Sequence, residues 1–383
     1  MKNTLHFKIF PTTDLLPENW DDLATENIFL SKNYLHVLEK SSPENMICHF
    51  IGLFKEEKLV GIALSQFLDL NKLASFGERD KCLKASVRNI IFKNFSSHVL
   101  FIGNNMLTGQ NAYYFSDEIN YHEALKSLKK ATETLKEIFK NTGHKIHVTS
   151  FKDFTSEEIG SFENATFENH YKFSTQPNMV FEIRENWKTF GDYVADLSKK
   201  YRDQFKRSRK KAEGITKQKM DLEAILKYEE TIYALYFHVA KNAPFNTFFL
   251  AKNHFSVFKE VLQDKFLFYG YFIDDKLVGF NTLIKNGESM DTYFLGYDET
   301  IQKEKMLYLN MLYDMIGYSI NQGFKEIVFA RTALEIKSSV GAKPLEMFGY
   351  IQHSNSLINR KIDKIFNYLE PKTEWQERNP FKV

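Results

Sequence analysis

Residues 52–63 read GLFKEEKLVGIA and residues 270–281 read GYFIDDKLVGFN. Each sets an apolar run before an acidic turn closed by Lys, and a second apolar run opening Leu-Val-Gly after it. Apolar, β-branched runs on either side of a short polar turn form a β-hairpin, so the spacing predicts strands at 49–54 and 59–67 and again at 267–273 and 277–284. The two stretches lie 218 residues apart, and upstream FLSKNY at 29–34 is echoed by FLAKNH at 249–254, 220 residues on. Two matches in one order at nearly one spacing mark an internal repeat. Further out, FKIF before Trp20 pairs with FEIR before Trp187, and GHKIHV from Gly143 pairs with GFKEIV from Gly323. These anchors put 46 extra residues early in the second copy and 38 within 70–120 of the first.

Each hairpin is followed by a further strand and an amphipathic helix. Met306, Leu309, Tyr313, Ile316 and Ile320 recur at helical spacing in the second copy, as do Leu125, Leu128, Leu135 and Ile138 in the first. Both helices run into a glycine, Gly323 or Gly143, the usual helix stop, and then an apolar strand. The order strand, helix, hairpin, strand, helix, strand is mixed α/β. A chain of 383 residues suits two such domains.

Lys+Arg of 51 against Asp+Glu of 49 excludes a polyelectrolyte, so any anionic partner must meet a local patch. With 36 Phe and 19 Tyr there is ample core, and Gly and Pro are too few for a fibrous or disordered chain. Cys48 and Cys82 stand far apart without a CxxC pairing, which argues against a disulfide framework or a cysteine zinc site and for a reducing cytoplasm; no metal is expected. The longest apolar stretch, 266–273, falls far short of the ~18 residues of a membrane span, and the amino terminus has no signal-peptide core. Neither export nor membrane insertion is expected.

Three stretches carry a family resemblance: the KLVG hairpins, the basic run LSKKYRDQFKRSRKKAEG at 197–214, and RTALEIKSSVGAKP at 331–344. Together they resemble the GNAT acyltransferase fold, and its tandem use is similar to the Fem-like transferases. The resemblance implies two tandem GNAT-like domains, each a mixed central sheet flanked by helices, at 1–172 and 178–383, with the basic helix inserted in the second. It also implies an acyltransferase that moves an acyl group from acyl-CoA or acyl carrier protein to an amine of a small molecule, amino acid or amino-lipid. The alternatives are an aminoacyl-tRNA-dependent Fem-like transferase of peptidoglycan precursor synthesis and a non-catalytic double-GNAT binding protein. One feature departs from the family. Where a coenzyme A site has a glycine-rich turn at a helix N-terminus, the second copy reads Glu299 to Lys305 without glycine, and in the first Gly103 and Gly109 flank an unlike segment. Gln302, Lys303 and Lys305 are then the candidates for holding the carrier.

Acyl transfer to an amine needs a base and donors for the oxyanion. Glu335, just beyond the strand at 326–330, is the first candidate base, with Arg331 and Lys337 placed to fix an acidic group or to form a structural ion pair. Asp291 and Tyr293 share one face of the strand at 289–295, ~7 Å apart, fit for base and acid unless Tyr293 is core. His238, within a helical pattern at 228–240, titrates near neutral pH or is structural. Cys48 alternates with apolar neighbours and is expected buried and inert. Between Lys199 and Lys211 eight Lys/Arg face a single acid, Asp203. Tyr201, Phe205 and Ala212 line one side, leaving Lys206, Arg207 and Lys210 among the cations that either form a solvated face or meet tRNA, a carrier protein or a peripheral anionic membrane surface. Aromatic residues are not interleaved as single-strand stacking would require.

Overall fold

The computed structural model describes all residues except 1–4, 73–95, 161, 163–165, 175, 244–245, 370–374 and 383. Cys82 and much of the expected 70–120 insertion lie outside the described residues. In chain order the strands are β1 (Leu5–Phe10), β2 (Met46–Lys55), β3 (Lys58–Asp69), β4 (His98–Ile102), β5 (Tyr113–Phe115), β6 (Val148–Phe154), β7 (Tyr171–Ser174), β8 (Asn178–Glu182), β9 (Thr216–Lys219), β10 (Phe266–Ile273), β11 (Lys276–Asn286), β12 (Ser289–Tyr297), β13 (Glu326–Ala330), β14 (Lys343–Leu345) and β15 (Phe348–His353). The helices are α1 (Lys32–Lys40), α2 (Tyr121–Asn141), α3 (Ser156–Gly160), α4 (Phe190–Asp196), α5 (Lys199–Lys211), α6 (Leu222–Lys227), α7 (Glu229–Asn242), α8 (His254–Leu262), α9 (Glu299–Lys305), α10 (Leu307–Asn321), α11 (Leu334–Ser338), α12 (Ser356–Asn359) and α13 (Ile362–Leu369).

The repeat sits where the hairpins meet their sheets. In the first unit β2 pairs with β3, Lys55 opposite Lys58 and Leu53 opposite Gly61; in the second β10 pairs with β11, Ile273 opposite Lys276 and Tyr271 opposite Gly279. Both ladders slip at the same step, so the Val of Lys-Leu-Val-Gly is an extra residue in a β-bulge. The glycine that follows has a packing reason in the second unit. A Cβ on Gly279 would come within 2.8 Å of Leu307 and 2.9 Å of Met311 on α10. The acidic turns need left-handed backbone, and Glu56, Asp274 and Asp275 supply it with φ of 55°, 44° and 62°.

The first unit comprises Met1–Thr175, Phe245–Ala251 and Glu346–Lys372, and the second Gln176–Pro244, Lys252–Leu345 and Thr373–Val383. The units are thus not contiguous in sequence, unlike the expected 1–172 and 178–383. The first sheet runs β1-β2-β3-β4-β6-β15-β7, with β5 also on β3, and the second runs β14-β8-β13-β12-β11-β10-β9. β4 and β6 are parallel in the first, β12 and β13 in the second. Beside each parallel pair sits a strand from elsewhere in the chain: β15, from near the end, in the first sheet, and β8, from the middle, in the second. Each copy's last strand therefore completes the other unit's sheet.

This exchange corrects the pairing of FKIF with FEIR. β1 lies beside the hairpin strand β2, whereas β8, which holds Phe181, lies beside β13 across the sheet. The counterpart of β1 is β9, paired to β10. The basic helix α5 therefore lies between β8 and β9 instead of interrupting the second copy.

Apolar periodicity made the cores. In α2 Leu125, Leu128 and Leu135 are fully buried, and Gly143 ends the helix with φ of 86°. In α10 Leu309, Tyr313, Ile316 and Ile320 are buried against the second sheet, while Met306 adopts a left-handed turn that separates α10 from α9. Phe181, Trp187 and Tyr193 join that core, and the Tyr193 hydroxyl donates to the Val340 carbonyl over 2.9 Å. Gly341 follows at φ of 111°, and a Cβ there would meet the Phe381 ring at 2.6 Å. Gly341→Ala is accordingly expected to cost the second unit about 1–3 kcal/mol in urea unfolding, with a smaller penalty on a Phe381→Ala background because the steric part is then absent.

Candidate active site in the second unit

The parallel strands β12 and β13 pair only from Ser289–Glu326 to Asp291–Val328, and then part. Bulges on both strands drive the parting. On β12, Thr292 opposes Leu283 and Leu295 opposes Asn281, so Tyr293 and Phe294 share one partner, Thr282. On β13, Phe329 is the extra residue between Val328 and Ala330 in the ladder with β8. A bulge bends its strand and leaves a residue out of the ladder. The hydroxyl of Thr282 pins the bulge by donating to the Phe294 carbonyl at 2.6 Å, and that of Thr292 spans the gap to the Val328 carbonyl at 3.0 Å. Beyond it the β13-facing edge of β12, through Tyr297, has no strand partner among the described residues.

The far lip is strained. Ala330, Thr332 and Ala333 have φ of 59°, 67° and 48°. Left-handed backbone in a β-branched residue such as Thr332 is an outlier that costs roughly 1–3 kcal/mol and persists only where its surroundings impose it. Lys337 imposes it here. Its side chain is buried, and Nζ donates to the Ala330 carbonyl at 3.3 Å and the Arg331 carbonyl at 2.6 Å. Burial pushes the Lys337 pKa down to about 7. The Lys-x-x-x-Gly segment, Lys337 to Gly341, thus shapes the lip of the opening.

Asp291 occupies the last ladder position before the parting and is 4% exposed. Burial, helped by Glu326 and opposed by a hydrogen bond from Asn286, raises its pKa from 3.8 to about 7. Its Oδ2 is buried without a hydrogen-bond partner. Tyr293 stands on the bulge, half-buried, its hydroxyl 2.9 Å from Nε2 of the buried His254 on α8 and its ring against His254 and Phe258. His254 could not be found from local pattern, since only the fold brings α8 onto β12.

The other sequence candidates are placed differently. Glu335 is exposed on α11 and paired with Arg378, whose Nε donates to it at 3.0 Å. Arg331 projects partly to solvent, but its guanidinium is sunk far enough for burial to lower its pKa to about 10. His238 lies on α7, 3.7 Å from Glu299, in a shallow cavity of about 390 Å³ with Lys276 and Tyr297. That cavity is at the end of β12, six residues and roughly 20 Å along the strand from Asp291.

On α9, Lys303 pairs with Glu299 at 2.8 Å and Lys305 donates to the Glu213 carbonyl at 3.4 Å, while Gln302 is half-buried. The N-terminus of α9 already holds an anion: the Asp298 carboxylate accepts from Thr300 N at 2.9 Å and Ile301 N at 3.2 Å. The Asp-x-Thr pattern at 298–300 is an N-cap signature that the sequence does display.

On α5, Lys206, Arg207 and Lys210 are exposed, and Arg209 is used internally. It pairs with Asp314 at 2.8 Å, donates to Asn310 Oδ1 at 3.2 Å and lies over the Phe205 and Tyr313 rings.

In the first unit the equivalent parallel pair, Val99–Ile102 with Val148–Phe151, meets a closed end. The buried Lys152 fills it, donating to the Asn104 carbonyl at 3.0 Å and pairing with Asp153, and a Cβ on Gly103 would clash with the Lys152 side chain at 2.5 Å. Cys48 is buried and free, its thiol pushed up to about 12 by burial. Among the described residues no group of three or more His, Cys, Asp or Glu could hold a metal ion, and no helix is long and apolar enough to cross a membrane.

No protein-family model and no curated protein matches the sequence. Solved structures do match in fold. FemX aligns over 87% of this chain and 92% of its own at 10% identity and a TM-score of 0.50. A tandem GNAT protein from the clavulanic acid biosynthesis pathway aligns over 91% and 99% at 9% identity and a TM-score of 0.51. A conserved protein of unknown function from Bacteroides thetaiotaomicron aligns over 91% and 100% at 13% identity and a TM-score of 0.50. The repeated hairpin, the parting parallel strands and these likenesses together make this a tandem GNAT, Fem-like fold.

Proposed function

We propose that the chain is a GNAT-type transferase that moves an acyl or aminoacyl group from a carrier to an amine, with its chemistry in the second unit. The observation that carries the reading is the opening between β12 and β13, bounded by two bulges, with Asp291 at its base and Tyr293 on its wall. A free strand edge offers backbone donors and acceptors to an extended arm. The donor's carrier arm lies along β12 here, and a backbone N–H at the bulge stabilises the carbonyl oxygen as it becomes an oxyanion.

The acceptor enters as an ammonium. A carboxylate with a pKa near 7 is matched to removing its proton at neutral pH, which makes Asp291 the better base than the Arg378-paired Glu335. The free amine attacks the carbonyl carbon, the tetrahedral intermediate collapses with cleavage of the bond to the carrier, Tyr293, oriented by His254, protonates the departing sulfur or oxygen, and the second proton that the nitrogen loses as it becomes an amide returns to the Tyr293 oxygen. Arg331 and Lys337 shape the lip, and the free thiol of Cys48 fits a cytoplasmic enzyme.

The test presents the full-length protein with acetyl-CoA, an octanoyl acyl carrier protein or an aminoacyl-tRNA, together with a panel of small amines and amino-lipids, and follows products by mass spectrometry. Transfer from at least one donor is expected, falling about 10²–10⁴-fold in Tyr293→Phe. A folded protein that transfers from none of the donors, or a Tyr293→Phe variant at full rate, overturns the reading.

A further inference from the structure

We infer that the donor is borne by an acidic carrier protein, which docks on the outward face of α5. The inference rests on the transferase reading and identifies its donor. A free coenzyme would need a cradle for its diphosphate at the end of β12, where the main chain turns into a helix. That place is filled by Asp298, bonded to two backbone N–H groups of α9, and the turn contains no glycine that would let a phosphate approach. The anchor for the donor must lie elsewhere.

α5 supplies one in the same unit. It is fixed to α10, the second helix after the reactive strand, through the Arg209–Asp314 pair and through Asn310, whose amide donates to the Ser208 carbonyl at 3.0 Å. Tyr201 and Ser208 are buried on the inner side and Phe205 packs on the core. At 3.6 residues per turn, Lys199, Lys206 and Lys210 fall within about 40° of one another on the opposite side, flanked by Lys200, Arg207 and Lys211. All six are exposed, and none has a carboxylate within ion-pair distance among the described residues. A helix of this length spans about 20 Å, with Lys206 and Lys210 about 6 Å apart along it.

The shape of the patch selects its partner. An acidic helix of similar length would lie along a single 20 Å stripe with charges in register. A nucleic acid fits less well: the outer face has no aromatic for base stacking, and Asp203 within the stripe and Glu213 at its end would oppose a continuous phosphate backbone. A membrane surface fits less well again, because an interfacial helix turns an apolar face to the lipid and here that face is spent on the core.

The experiment compares octanoyl acyl carrier protein with octanoyl-pantetheine as donors for the full-length protein and for the variant Lys206→Gln, Arg207→Gln, Lys210→Gln, Lys211→Gln, whose fold is checked by its melting temperature. Loss of four interfacial charges is expected to lower the ratio of the carrier-protein rate to the pantetheine rate about tenfold or more and to flatten its salt dependence. An unchanged ratio in the folded variant overturns the inference. So does turnover of octanoyl-pantetheine but not of the carrier protein by the wild type, an outcome that leaves the transferase reading intact; turnover of neither donor, nor of charged tRNA, removes that reading as well. Binding of tRNA or of anionic phosphatidylglycerol vesicles that is lost in the variant, with the rate ratio unchanged, assigns the stripe to that partner instead.

Discussion

Asp291→Asn is expected to lower single-turnover transfer about 10²–10⁴-fold, the usual cost of removing a general base, while making the second unit more stable at neutral and alkaline pH. The sign follows from the carboxyl's pKa, raised from 3.8 to about 7 in the fold. Between those values the folded state binds the proton more tightly than the unfolded state, so this carboxyl's contribution to stability falls as pH rises from 3.8 to 7 and stays low above. The full difference is worth about 4 kcal/mol at 1.36 kcal/mol per unit. Asn cannot ionise, so between pH 5 and pH 8 the wild type should lose urea-unfolding stability relative to the variant. A residue whose removal stabilises the fold and stops the chemistry is retained for the chemistry. Equal pH dependence in both proteins would show that the carboxyl is not held neutral, and full activity would pass the base role to another group.

Lys337→Met is the complementary case, a residue that shapes the site without touching the reacting atoms. The methionine keeps most of the apolar length but leaves the Ala330 and Arg331 carbonyls without the donor that now meets them. Each unmet buried acceptor costs about 1–3 kcal/mol, and the left-handed run from Ala330 to Ala333 is free to relax. We expect a loss of stability of that order, a fall in kcat of at least about tenfold and a smaller change in KM, since the donor's distal contacts remain. The wild-type stability should also rise with pH between 7 and 10.5, because burial depresses the Lys337 pKa from 10.5 to about 7 and the unfolded chain binds more protons in that window. The variant should lack this rise. Unchanged kcat in a destabilised protein would make Lys337 a purely structural residue.

The hairpins were legible because their chemistry is local: two apolar runs, a turn that tolerates left-handed backbone, and a glycine at one step. The helices α2 and α10 followed from periodicity in the same way. The exchange of β8 and β15 was not legible, since alternation shows that a segment is a strand and which face is buried, but not which sheet it joins. Matching FKIF to FEIR therefore aligned two strands that occupy different positions. At the site, Asp291 and Tyr293 could be paired from period-two spacing alone. Glu335 drew attention for its position, but its partner Arg378 is 43 residues away and beyond the reach of any local pattern. His254 belongs to the same class of contact, and Lys337, named for a substrate role, turned inward to the carbonyls of its own loop.

The reacting group is proposed to lie in the opening between β12 and β13 of the second unit, while Lys152 closes the matching end of the first. A crystal structure of the full chain with S-octyl-pantetheine, a thioether that has no acyl group to transfer, decides it. The pantetheine arm is expected along the β13-facing edge of β12 from Tyr293 to Tyr297, with the carbon bound to sulfur near Tyr293 and Asp291. An arm bound in the first unit beside Lys152, or in the cavity at His238, would contradict the account.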